Sequence, residues 1–352
     1  MINKLKIIMS GILLTLLLCS CTIHSSNNSN NYYNEYAHMS INDFQSFSIA
    51  GSSGHALFID NNNNLYSWGN NFHGRLGDGT TTHRNYLSQV MTNVVSVCST
   101  GNHTLALTSD GEVWAWGYNR FGQVGNGSTQ AQLRPVHIMD DVRMISAFNH
   151  TTMAICVNNI LWGWGIIDLS QAENVIVDDQ HYPVALMDNI SYVSVGSSHV
   201  AVIKTDNTLW TWGWNLYGQL GDGSTNEYFE PIYIMSDVIN VVASSINTMA
   251  IKSDNSLWGW GGNLNHHLGL ESYEEIIPYP VHVMDYVVAV LNSANSAQAL
   301  TSDGVLWSWG RIFNPLLSYE FYRMLEGQRV QPITLSYPIK TTTNIMLPNR
   351  VF

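Results

Sequence analysis

From about residue 44 the chain is built of short apolar runs separated by Gly, Asn and Asp. One unit shows the pattern. Residues 94–98 (Val94-Val95-Ser96-Val97-Cys98) are followed by 103–108 and then by 112–117, with Ser109-Asp110-Gly111 between the last two. Each run is β-branched or aromatic and too short for a helix, which predicts strands. Asp110-Gly111 between two such runs predicts a hairpin, because both residues tolerate positive φ. Asn158-Asn159, Asp206-Asn207, Asp254-Asn255 and Asp303-Gly304 fall at the same place in later units, and Asp60-Asn61 begins it in the first. A fourth strand is predicted around Pro135, Pro183, Pro231 and Pro280, with the proline opening it at a sheet edge.

The pattern repeats on a fixed ruler. An aromatic-x-Trp-Gly motif ends at Trp68, Trp116, Trp164, Trp212, Trp260 and Trp309, each followed by Gly, in steps of 48, 48, 48, 48 and 49 residues. A constant period of this length is the mark of stacked supersecondary units. Four short strands per unit point to an all-β fold, a β-propeller of six blades, with seven as the alternative. A lone copy of the proline strand follows the last Trp-Gly at Pro332, and the first unit lacks a clear one. We therefore expect a C-terminal strand to complete the first blade, closing the ring and removing exposed edges.

Residues 1–20 read differently. Lys4 and Lys6 precede a short apolar run from Ile7 to Leu18, which suits a signal peptide better than a membrane span. The run ends in Leu18-Cys19-Ser20-Cys21, which resembles the bacterial lipoprotein box, with Cys21 as the lipidated residue. Residues 21–43 are rich in Ser and Asn and read as a flexible spacer. The propeller then spans 44–345. An exported protein anchored on the outer face of the cell membrane is expected, with a secreted one as the alternative.

Charge narrows the partners. The formal net charge is −12, with charged residues at only 11%. An acidic surface repels phosphate backbones, which excludes nucleic acid as a natural partner. Beyond the signal only Cys98 and Cys156 remain, in different repeats, and free buried thiols are expected.

At the Trp-Gly-x-Asn motif, the segment Gly101-Asn102-His103-Thr104-Leu105-Ala106 and the loop Gly218-Gln219-Leu220-Gly221-Asp222-Gly223, the chain resembles the regulator of chromosome condensation repeat family. The resemblance covers roughly 44–345 and implies a β-propeller. The glycine loop recurs at Gly74 to Gly79 and Gly122 to Gly127. It is partial at His267-Leu268-Gly269, and lost at 168–172 and 314–317. The family includes a nucleotide exchange factor for a small GTPase, an activity that looks to need a wedge-like insertion. Spacings of 48 and 49 leave no room for one. A bacterial propeller of similar design inhibits β-lactamases through loop aromatics.

Candidate chemistry is sparse. His55, His103, His150 and His199 recur once per repeat, followed by Asn247 and Ser296. Spread around a ring they cannot share one coordination sphere, so a structural hydrogen-bonding role is expected and no metal. The glycine loops lack a following Lys-Ser/Thr and a helix, so they are not phosphate cradles, and no cofactor is expected. The six repeat tryptophans are expected to pack between blades. No catalytic triad or carboxylate pair stands out. A non-enzymatic protein-binding module is expected, against an enzyme using the central channel or a structural envelope protein. Tyr118 and Phe121 of repeat two, with Trp214 and Tyr217 of repeat four, are the candidate partner-binding residues, since large aromatics on loops supply contact area.

Overall fold

The computed structural model describes residues 44–48, 55–99, 103–167, 180–264, 266–270, 272–292, 296–312 and 333–340, with the backbone alone described for 44–48, 311–312 and 333–340. The signal, Cys21 and the spacer lie outside the described residues.

Six four-stranded antiparallel sheets follow one another along the chain, each with its strands in sequence order. The first holds β1 (Phe44–Ser48), β2 (His55–Asp60), β3 (Leu65–Gly69) and β4 (Arg84–Met91). The second holds β5 (Val94–Ser99), β6 (His103–Thr108), β7 (Val113–Gly117) and β8 (Gln132–Met139). The third has β9 (Val142–Phe148), β10 (Thr151–Cys156), β11 (Leu161–Gly165) and β12 (Gln180–Met187); the fourth, β13 (Ile190–Val195), β14 (His199–Lys204), β15 (Leu209–Gly213) and β16 (Tyr228–Met235). The fifth comprises β17 (Val238–Ala243), β18 (Asn247–Lys252), β19 (Leu257–Gly262) and β20 (Ile276–Met284). The sixth comprises β21 (Val287–Asn292), β22 (Ser296–Thr301), β23 (Leu306–Ile312) and β24 (Ile333–Lys340). Among the described residues no helix is long and apolar enough to cross a membrane.

The last strand corrects one expectation. β24 pairs with β23 in its own sheet, and β1 already gives the first sheet four strands. The first sheet does have an outer strand, β4, but no proline marks it. The proline strands are also longer than expected. β8 starts at Gln132, which puts Pro135 fourth, where the ladder jumps from Gly117↔Gln132 to Ala115↔Val136. A proline in such a bulge on an outer strand costs no ladder hydrogen bond.

The hairpins deviate in one detail. Only the second residue of each expected pair is left-handed: Gly111, Asn159, Asn207, Asn255 and Gly304. Gly111 N–H donates to Thr108 O at 3.1 Å and Thr108 N–H to Glu112 O at 3.0 Å. That is a type I turn closed by a left-handed residue, a common longer hairpin loop. In the first sheet the left-handed residue is Asn63.

The core lies between sheets. β6 is buried at all six positions, whereas β8 is only partly covered. One apolar cluster joins Leu105, Leu107 and Val113 of the second sheet, and Val124 of the loop after β7, to Val142, Ala154 and Trp164 of the third. Trp116, Trp164, Trp212, Trp260 and Trp309 are at most 2% exposed. Each fills the gap against the preceding sheet, where a flat ring suits sheet-on-sheet packing. Cys98 and Cys156 are buried thiols; Cys98 Sγ lies 3.7 Å from Ala147 O of the next sheet, and burial raises the Cys156 pKa.

Candidate functional site

The site is built from loops after the third strand of each sheet, and one buried asparagine organises each complete loop. Asn215 follows Trp212-Gly213-Trp214. Its Oδ1 accepts the Leu220 N–H at 2.9 Å, and its Nδ2 donates to Ser224 O and Asp222 Oδ1, both at 3.1 Å. Asn71, Asn119 and Asn263 hold Leu76, Val124 and Leu268 in the same way. The four asparagines therefore each accept the backbone N–H five residues further on. Repeat three has Ile167 at this position, 4% exposed and packed with the apolar cluster around Val184 and Leu186.

Each shaped loop reaches the next sheet. Gln219 O accepts the Trp260 indole N–H at 3.0 Å and the Thr248 hydroxyl at 2.8 Å. Arg75 O does the same for Trp116 and Thr104. His267 O accepts from Trp309 at 2.8 Å. At Gly221, φ is +87° and a methyl group would sit 2.5 Å from the Trp260 indole nitrogen, so only glycine fits.

The histidines extend this clasp. His199 Nε2 lies 2.8 Å from Thr248 Oγ1, and His103 Nε2 lies 3.0 Å from Thr152 Oγ1. Both threonine hydroxyls donate to loop carbonyls, so each histidine must carry its proton on Nε2 and donate it. His55 Nε2 lies 2.8 Å from Ser99 Oγ. Burial lowers the pKa of all three to about 3, helped at His55 by Arg75 and at His103 by His150. All three are neutral at physiological pH.

His150 does not belong to this set. The residue opposite the Trp-Gly glycine is His55, His103, Thr151, His199, Asn247 and Ser296 in successive sheets. The expected series is thus off by one in repeat three, where the steps between histidines are uneven. His150 is half-buried on the loop side. Its Nδ1 lies 3.1 Å from Gln123 Nε2, and its ring lies 4.5 Å from Phe121 and 5.9 Å from Tyr118. Tyr118 also meets His73 of repeat one at 4.8 Å.

The four expected partner-binding aromatics therefore divide. All emerge from equivalent loops at one end of the sheets. Tyr118 and Phe121 are half-buried in a ring cluster joining repeats one to three, and Tyr217 is half-buried. Trp214 is 48% exposed. Phe72 at 56%, Leu216 at 61%, Leu264 at 48% and Tyr273 at 97% stand out beside it. Leu264 and Tyr273 escaped the sequence reading because their loop lacks the full glycine pattern. The signal was Asn263, at the organising position.

At the other end of the sheets, Glu112, His137 and Asp140 offer ligand atoms within 4.8 Å of one another. Within the trio His137 and Asp140 already bond each other at 2.9 Å, and Glu112 accepts the Trp114 indole N–H at 3.0 Å. His282 and Asp285 repeat the pair in the fifth sheet at 2.8 Å, with Ser256 in the glutamate's place, whereas the equivalent position holds Ala185 in the third and Tyr233 in the fourth.

Successive four-stranded sheets, each sealed to the next by a tryptophan, define a β-propeller. The family model of the RCC1-like domain matches residues 27–314, and the chain belongs to that family. No curated protein sequence matches the chain. Among solved structures, it is similar to human WBSCR16 at 21% identity and a TM-score of 0.64, covering 73% of this chain and 71% of that one. It is also similar to yeast RCC1 (Prp20), solved bound to Kap60, at 19% identity and a TM-score of 0.67, covering 85% and 74%. Prp20p from Saccharomyces cerevisiae, described with its binding properties to Gsp1p and histones, gives 19%, 0.66, 85% and 76%.

Proposed function

We propose that this chain is a protein-binding propeller of the cell envelope, exported through residues 1–20 and held by a lipid on Cys21. In this reading the six sheets close into one ring, the sixth against the first, and the face bearing the loops after the third strands meets the partner. One observation carries the choice of face. Exposed Phe72, Trp214, Leu216 and Leu264 all stand on these loops, while the same loops are rigidly held by buried asparagines. Rigid, exposed aromatic groups lose little entropy when a partner covers them, so they are natural anchors. The protein partner of yeast RCC1 in its solved complex agrees with such a role for the fold.

The test has two arms. Cys21→Ser should release the protein from membranes or leave its precursor unprocessed; unchanged membrane association on fractionation refutes the anchor. For the face, envelope extracts are probed with wild type and with Tyr118→Ala, Phe121→Ala, Trp214→Ala and Tyr217→Ala. At least one variant should lose about 2 kcal/mol of binding to the captured partner. Trp214→Ala should keep the wild-type melting temperature, whereas Tyr118→Ala and Phe121→Ala should lower it, because their rings join neighbouring repeats. Equal binding by all four variants refutes the assigned face.

A further inference from the structure

The exposed apolar groups of repeats four and five share their end of the molecule with an unbalanced set of charges. Trp214 and Leu216 project from the loop between β15 and β16, Leu264 and Tyr273 from the loop between β19 and β20. The two loops are adjacent: Gly223 N–H donates to Pro278 O of the next sheet at 2.8 Å, and a methyl group on Gly218 would lie 2.5 Å from Pro278 Cα. Around these groups Asp222, Glu227, Glu230, Glu274 and Glu275 are all exposed. No Lys or Arg occurs in 214–231 or 262–279. Lys204 and Lys252 belong to these repeats but sit at the other ends of β14 and β18, over the rings of Trp210 and Trp258. Repeats one and two differ, because Arg84 neutralises Asp78 at 2.7 Å and Arg120 is present.

We infer that repeats four and five dock a cationic amphipathic segment of a partner protein. Its apolar side chains cover Trp214, Leu216, Leu264 and Tyr273, and its Lys or Arg side chains meet the five carboxylates. The inference rests on the loop-face reading above and adds the chemistry of the partner. Complementary charge at a rim mainly sets the association rate and the choice of partner, while the central apolar groups hold the complex. An acidic apolar segment would bring like charges together over the same patch and be rejected.

The test uses the full-length protein and three labelled helical peptides of one apolar pattern, with Lys, Ser or Glu at the polar positions, followed by fluorescence anisotropy. The lysine peptide should bind most tightly, and its affinity should fall as salt rises. Trp214→Ala should weaken it about tenfold or more, equivalent to about 1.4 kcal/mol. Glu274→Gln combined with Glu275→Gln should weaken it severalfold and flatten the salt dependence. Asp206→Asn combined with Asp254→Asn, at the opposite ends of the same sheets, should leave it unchanged, and circular dichroism should show all variants folded. Equal, Trp214-dependent binding of the serine peptide overturns the cationic partner while the loop-face reading stands. Lysine-peptide binding that survives Trp214→Ala and Leu216→Ala overturns the patch. Equal weakening by the Asp206/Asp254 variant reveals only overall charge and overturns the local rim, and binding of none of the peptides overturns the inference as a whole.

Discussion

Repeats three and four have the same strands and the same tryptophans, yet they solve the space after the Trp-Gly in opposite ways. In repeat four Asn215 is fully buried and spends its amide on the backbone of a glycine loop, which then clasps the next sheet through Gln219 O. In repeat three Ile167 fills the same position and joins the apolar cluster. The sheet is the same because Trp164 and Trp212 bury equally well. What changes is the supply of loop carbonyls and of the histidine that bonds beneath them. A repeat can therefore lose its polar clasp and keep its strands, since interblade burial and not the clasp dominates the packing energy.

Acid should reveal the contrast most strongly. His55, His103 and His199 bridge repeats one–two, two–three and four–five, while Thr151 occupies the position in repeat three. Each histidine has a folded pKa near 3 against about 6.5 when unfolded. The unfolded chain therefore binds more protons between these values. Stability is fully present above pH 6.5 and is lost as pH falls toward 3. Hydrogen exchange should show the three histidine-bridged interfaces opening first, with the β10–β13 interface opening later. His103→Asn, which copies Asn247 of repeat five, should shallow the acid transition followed by circular dichroism. An unchanged transition in that variant would assign acid sensitivity to other groups.

Next comes the organising amide. Asn215→Ala leaves the buried Leu220 N–H and the loop carbonyl of Ser224 without their partner. A loss of about 3 kcal/mol in urea unfolding is expected, and the loop should become susceptible to proteolysis. Ile167→Asn should not rescue repeat three. It would bury an amide among apolar neighbours and destabilise by about 2 kcal/mol.

The smallest effect isolates a single hydrogen bond. Trp260 Nε1 donates to Gln219 O, whereas Trp164 Nε1 is buried with no partner. Phenylalanine removes the indole N–H from both. Trp260→Phe should therefore cost about 1 kcal/mol more than Trp164→Phe. Equal costs would mean that the clasp contributes nothing beyond ring packing.

The period of Trp68 to Trp309 announced six units, and the five rings from Trp116 to Trp309 are buried where one sheet packs on the one before, while Trp68 of the first sheet is half-buried. Asp110-Gly111 and its counterparts announced the hairpins, although which residue turns left-handed depended on the hydrogen bonds of the closed loop. The loop face was legible as a place, through Tyr118, Phe121, Trp214 and Tyr217. It was not legible as a surface, because a sequence does not show that His73 and His150 come from neighbouring repeats to cover Tyr118 and Phe121.

The repeat, its strand order and the acidic balance of the chain follow from the order of the amino acids alone. These follow from local periodicity and composition, which need no knowledge of neighbours. Three further points rest on how the sheets pair and pack. Pairing assigns the last strand to the sixth sheet and sets His150 out of register with the other histidines, and packing separates exposed Trp214 from half-buried Tyr118. Each depends on contacts between residues far apart in the chain, where hydrogen-bond register and burial are set by the partner strand or sheet.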